Sequence, residues 1–212
     1  MKAPKQTISA QRIQDAINYR IWDIGNGVLY DLCSRYPDHT NADAVSAKCW
    51  LIGRSYAASV ERYMKKRRRE EEFFPDVVAP QLQRSNLDAR LGAMPAGKGN
   101  FLQWQDQVVD VHGELVQTLS GVLRSEARSF ASKYLHFHRP RLFPIYDSRA
   151  VAAVRRLSPD MRFVSQIETK PADSEYRDFC SRVAWILEEI KRKHGESLLP
   201  RQVDNLFLRL AS

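Results

Sequence analysis

The sequence predicts an all-α fold, a compact bundle of about eight to ten helices forming a single domain over residues 1–212. Three observations predict it. Apolar residues recur at spacings of three and four in one segment after another. No segment sustains the apolar–polar alternation of a half-buried strand. Residues that start or stop helices stand at the ends of the apolar runs.

Ser9 caps a first helix with Ile13, Ala16 and Ile17 on its apolar face. Ile21, Ile24, Val28, Leu29 and Leu32 continue an apolar stripe up to Pro37. Asn41 or Asp43 opens the next helix, where Val45, Cys49, Ile52, Tyr56 and Val60 recur at helical spacing towards Lys65. Residues 65–69 are five consecutive bases, followed by Glu70, Glu71 and Glu72. They read either as a phosphate-contacting helix end or as a solvated tail laced by i,i+4 pairs, and the adjacent acidic run favours the tail. Pro75 and Pro80 mark a break over residues 73–80, and a short helix follows around 85–91. Residues 94–100 contain Pro95, Gly97 and Gly99, the clearest loop and the subdomain boundary if the domain divides. Helices then read over 103–123, 125–138 and 148–157. Residues 158–173 are mixed, with an extended piece at Phe163, Val164 and Ile167. Asp173 or Ser174 caps an amphipathic helix carrying Tyr176, Phe179, Cys180, Val183, Ile186, Leu187 and Ile190, which Gly195 ends. Pro200 opens the last helix, with Val203, Leu206, Phe207 and Leu210 as its apolar face.

Composition narrows the function class. With 43% hydrophobic residues the chain can build a core, and 33 Lys plus Arg against 25 Asp plus Glu leave a net charge of +8. A basic balance attracts phosphate backbones, since neutralising phosphates releases counterions. Cys33, Cys49 and Cys180 are odd in number and far apart. That argues against a disulfide framework and against zinc or iron–sulfur ligation, and reads as buried free thiols in a bacterial cytoplasm. No apolar run approaches the ~20 residues of a membrane span, and residues 1–6 lack the apolar stretch of a signal peptide, so no membrane partner is expected. A phosphate-binding Walker loop, a dinucleotide GxGxxG, a metalloprotease HExxH and a nucleophile elbow are all missing, and no metal or cofactor is expected.

The most unusual stretch is residues 124–156. A helix bearing Phe130, Ala131, Tyr134, Leu135 and His138 ends at Arg139-Pro140. An apolar turn, Leu142-Phe143-Pro144-Ile145, then delivers Asp147 to the start of the next helix. Asp147 reads in two ways: as an N-cap accepting free amides of the first turn, or as a carboxylate held rigidly by the turn with Arg149 beside it. Residues 143–147, Phe-Pro-Ile-Tyr-Asp, resemble the turn of the helix-hairpin-helix DNA glycosylase superfamily, which includes 8-oxoguanine glycosylase-fold proteins.

That resemblance implies a helical glycosylase fold, a flipped base in a pocket and Asp147 as the catalytic carboxylate that stabilises positive charge on the sugar or orients water. It places the family's hairpin on residues 123–129. Here that stretch has no glycine, so Arg124 and Arg128 would supply phosphate contacts in place of backbone amides. The position of the family's Schiff-base lysine, 18 residues before the Asp, is Ser129, which implies a monofunctional, non-lyase enzyme releasing a damaged or modified purine. Ser129, Lys133 and Arg149 join Arg124 and Arg128 as the nucleic-acid-binding set. Trp50, Arg54, Tyr146 and His136 are the base-pocket candidates, with Trp50 and Arg54 at i,i+4 as a cation–aromatic wall or as plain helix packing.

DNA or another nucleic acid is the expected partner. The alternative is a catalytically inactive recognition module, or a purely structural one, working with partner proteins of a bacterial antiviral defence system. His136 and His138 read as structural, His112 and His194 as surface residues, and His39 as a loop residue. Trp22, Trp104 and Trp185 read as core or partly buried.

Overall fold

A computed structural model describes residues 8–56, 58, 70–123, 127–158 and 173–211. Among them the regular elements are all helical. In chain order they are α1 (Ala10–Ile17), α2 (Asp23–Arg35), α3 (Ala42–Ser55), α4 (Glu70–Phe73), a π-helical turn (Phe74–Val78), α5 (Ala79–Arg84), α6 (Leu87–Gly92) and a 3₁₀ turn (Phe101–Gln103). Then follow α7 (Gln105–Ser120), α8 (Arg128–His138), α9 (Ser148–Leu157), α10 (Ser174–His194) and α11 (Pro200–Ala211).

Local chemistry sets the helix ends. The Ser9 hydroxyl accepts from the Arg12 amide, Asn41 from Ala44 and Asp173 from Tyr176, each satisfying an amide with no partner inside its helix. Gly195 ends α10 at φ 72°, left-handed backbone that a side chain would disfavour. The segment with Pro75 and Pro80 is helical rather than broken. Residues 70–84 run on as one helical stretch, so both prolines lie inside it, and the π turn, in which the Ala79 amide donates to the Phe74 carbonyl, carries the backbone past Pro75 with Phe73, Phe74 and Val78 buried. The run 65–69, the piece 163–167 and Arg124 lie outside the described residues.

The hub is α8, in which every residue from 130 to 138 is buried. A helix buried all round must be enclosed by others, and α2, α3 and α7 pack on it. Leu135 and Phe130 have no exposure, and full burial of such side chains stabilises by about 1.5–3 kcal/mol each. On the other side α9 lies between α10 and α11, and α11 also covers α1.

Helix α2 departs from its sequence reading. Ile21, Ile24 and Val28 are exposed, as is Trp22, while the buried face is Asn26, Leu29 and Cys33. The apolar stripe was real, but the helix turns a neighbouring face inwards. His39 and His112 are not loop and surface groups. His39 is buried between Asp88 and Tyr134, and His112 is buried with its ring stacked on Tyr176 at 3.6 Å. Cys33, Cys49 and Cys180 are free and buried. No described helix is long and apolar enough to cross a membrane.

Candidate functional site

The turn between α8 and α9 is built to hold one carboxylate. Leu142 and Phe143 are fully buried and Ile145 almost so. Its backbone polar groups are therefore cut off from water and need partners. The His136 ring Nδ1–H donates to the Phe143 carbonyl at 2.9 Å, and the Tyr176 hydroxyl donates to the Pro144 carbonyl at 2.9 Å. The Tyr146 amide donates to the Ser132 hydroxyl oxygen at 3.0 Å. Since a carbonyl only accepts, the proton of His136 is on Nδ1, and Nε2 accepts from the Tyr30 hydroxyl at 2.8 Å. Burial drives the His136 pKa down to about 4, keeping the ring neutral. His136 thus fastens the turn and does not face a pocket.

Asp147 divides its two oxygens. Oδ1 accepts from the amides of Arg149 and Ala150 at 3.0 and 2.9 Å, capping α9. Oδ2 lies 3.6 Å from the Lys133 ammonium. Both residues line a cavity of about 840 Å³, inside the range of small-molecule sites, about 300–1,000 Å³. Asp147 is therefore both the cap of α9 and a carboxylate of the cavity lining.

Lys133 has only 3% of its side chain exposed. Its Nζ also donates to the Tyr56 carbonyl and to the Ser129 hydroxyl oxygen, both at 3.0 Å. Burial lowers its pKa and the Asp147 carboxylate opposes the shift. Two hydrogen bonds hold the ammonium in place, and its ion pair with Asp147 makes it a positioned counter-charge. Ser129 and Lys133 are i,i+4 on α8, so they share a face.

The sequence-predicted residues divide between cavity and elsewhere. Asp147, Lys133, Ser129 and Arg149 meet at the cavity, with Arg149 exposed. Arg128 points the other way. Its Nε sits 2.7 and 2.6 Å from the Asp173 oxygens, and Nη1 lies 3.4 Å from Glu175. Tyr146 lines a separate pocket of about 180 Å³ and donates to Glu175. Trp50 and Arg54 are exposed on α3, away from the cavity lining.

The cavity lining also holds residues the sequence did not mark as a site, among them Trp22 at 57% exposure, Asn26, Tyr56, Arg201 and Asp204. Trp22 and Asn26 come from α2 and its start, Arg201 and Asp204 from α11. The Tyr56 hydroxyl donates to Asn26 Oδ1. Arg201 Nη1 lies 2.5 Å from Asp204 Oδ2. The signal for Asp204 was faint: Asp204-Asn205 is a polar pair set among the apolar positions 203, 206 and 207.

Leu29, Ile145 and Leu208 give the cavity apolar wall, while Lys133, Arg149 and Arg201 face Asp147 and Asp204. Such a chamber presents both apolar wall and charged groups to whatever fills it. Among the described residues no group of three or more His, Cys, Asp or Glu is arranged to hold a metal ion. No protein-family model, curated protein or solved structure matches the chain.

Proposed function

We propose that the chain is a DNA-glycosylase-like protein that binds nucleic acid and releases a damaged or modified purine by a monofunctional hydrolysis at Asp147. The observation that carries this reading is a carboxylate fixed in the lining of a roomy, partly apolar cavity, with one oxygen facing a buried ammonium. Cleaving an N-glycosyl bond builds positive charge on the sugar. A negative oxygen that need not reorganise stabilises that charge more than it stabilises the neutral ground state. The α9 amides hold one oxygen and Lys133 faces the other, so the carboxylate is oriented as a whole. The exposed Trp22 ring offers a stacking face for a base leaving the helix, and exposed Arg149 beside Asp147 offers a phosphate contact.

The resemblance of residues 143–147 to the glycosylase turn supports the same reading. A second reading is a binding module without catalysis, in a bacterial antiviral setting with partner proteins. It draws on Asp147 itself, whose oxygens are engaged by two amides and an ammonium.

The test is a panel of lesion-bearing duplexes and single strands, scored separately for binding and for released base, with wild type and Asp147→Asn. The catalytic reading expects base release by wild type and a loss of at least a hundredfold in Asp147→Asn, with binding kept. Salt-sensitive binding without release in either protein gives the second reading. Absence of both refutes the two together.

A further inference from the structure

We propose that Asp204, on the last helix, is the proton-exchanging group of the cavity and binds a ring nitrogen of a purine-type base through its carboxylic acid form. The proposal rests on the base-pocket reading above and extends it to how the base is held.

Besides Lys133, whose ammonium is already engaged, two polar side chains at the cavity are at least nine-tenths buried, Asp204 at 4% and Asn26 at 5% exposure. Each has one atom bonded and one open. Asp204 Oδ2 faces Arg201 Nη1, and among the described residues Oδ1 has no hydrogen-bond partner. Asn26 Oδ1 accepts from Tyr56, and among the described residues Nδ2 has no partner. Neither open atom is among the sealed side-chain atoms that lack a partner, so both reach solvent at the cavity their residues line, where a ligand can meet them. Both residues line the same chamber as Asp147, so a molecule filling it meets these groups.

The charges around Asp204 come from every side. Arg201 is one turn away on its own helix. Lys133 on α8 and Asp147 at the start of α9 share the cavity, with Arg149 beyond them. Tyr30 on α2 and Tyr56 after α3 face the same group, and burial raises both phenols, so they stay protonated. On the α1 side Asp15 is occupied by Arg209. Burial raises the Asp204 pKa to about 6; Arg201 opposes, Asp147 adds, and Lys133 opposes. The acid form is therefore reached at mild pH. It donates one O–H, and Asn26 Nδ2 supplies a second donor. A purine offers ring-nitrogen acceptors along its edges.

Adenine and its 1-, 3- and 7-deaza analogues, titrated into the full chain at pH 5 and pH 7.5, test this. If the acid form binds and the free group titrates near pH 6, adenine binds about thirtyfold tighter at pH 5. One of the three deaza analogues loses that gain. Asp204→Asn removes the pH dependence while Asp147→Asn keeps it. The ¹³C signal of the wild-type Asp204 carboxyl, titrated with and without adenine, reads the same linkage without a variant; its midpoint rises on binding. Binding that is equal at both pH values, a gain kept by all three analogues, or wild-type pH dependence in a folded Asp204→Asn overturns the proposal and leaves the base pocket standing. Failure of every base to bind at either pH overturns the base-pocket reading as well.

Discussion

Acidification from pH 6.5 to 4 destabilises this fold through two buried imidazoles. His112 and His136 have no exposure, and burial depresses both from 6.5 to about 4. His112 donates from Nε2 to the Arg128 carbonyl at 3.1 Å and stacks on Tyr176. Asp173 lies 3.9 Å from Nδ1, too far to offset burial. A group with a depressed native pKa contributes stability above its unfolded pKa and loses it as pH falls towards the native value. At 1.36 kcal/mol per pH unit, each ring loses about 3 kcal/mol over that window. Asp204 works the other way. Its pKa rises from 3.8 to about 6, so its contribution is full at low pH and is lost as pH rises through 6, again about 3 kcal/mol. The net acid loss is about 3 kcal/mol, and buried His39 and His138, both lowered, add to it. Urea unfolding at half-unit steps of pH measures the slope, which counts the protons taken up on unfolding. The variant is His112→Gln, whose amide can reproduce the bond to Arg128. It is less stable at pH 7 through the lost stack, but its slope is shallower by up to one proton. An unchanged slope in a folded His112→Gln would refute the assignment.

Two further outcomes follow from packing. In Gly99→Ala the new methyl carbon would meet Leu142 Cδ2 and Pro95 Cγ, each at 2.6 Å. Leu142 is fully buried, so shifting its end disturbs the core and the variant loses about 1–3 kcal/mol in urea unfolding; an unchanged midpoint would show that the loop yields freely. Asp173→Ala removes the cap of α10 and both Asp173 contacts to Arg128, whose side chain is mostly buried. The expected loss is about 3 kcal/mol, and hydrogen exchange should rise first in the opening turn of α10. A uniform rise along the helix would contradict a local cap.

Much of the helical layout was legible because its causes are local. Ser9, Asn41, Asp173, Gly195 and Pro200 act on amides and carbonyls within one turn, so their residue types announce the boundaries. The turn before Asp147 was legible for the same reason: an apolar run between two helices has little choice but to bury. The Pro75–Pro80 segment misled because proline reads as a breaker, whereas here a π turn carries the helix past it.

The candidate site was half legible. Ser129, Lys133 and Asp147 lie within 18 positions of one another, and helical phase alone puts the first two on one face. Asn26, Arg201 and Asp204 are remote in sequence, and nothing local distinguishes them from ordinary flanking polar residues. Which flank of α2 or α11 meets solvent is set by how those helices dock on α8, α9 and α1, a balance of burial summed over many side chains. Sequence by itself determined where helices begin, where they end and which carboxylate a rigid turn presents. Tertiary packing alone decided what that carboxylate faces, because a cavity is the space between helices and belongs to none of them.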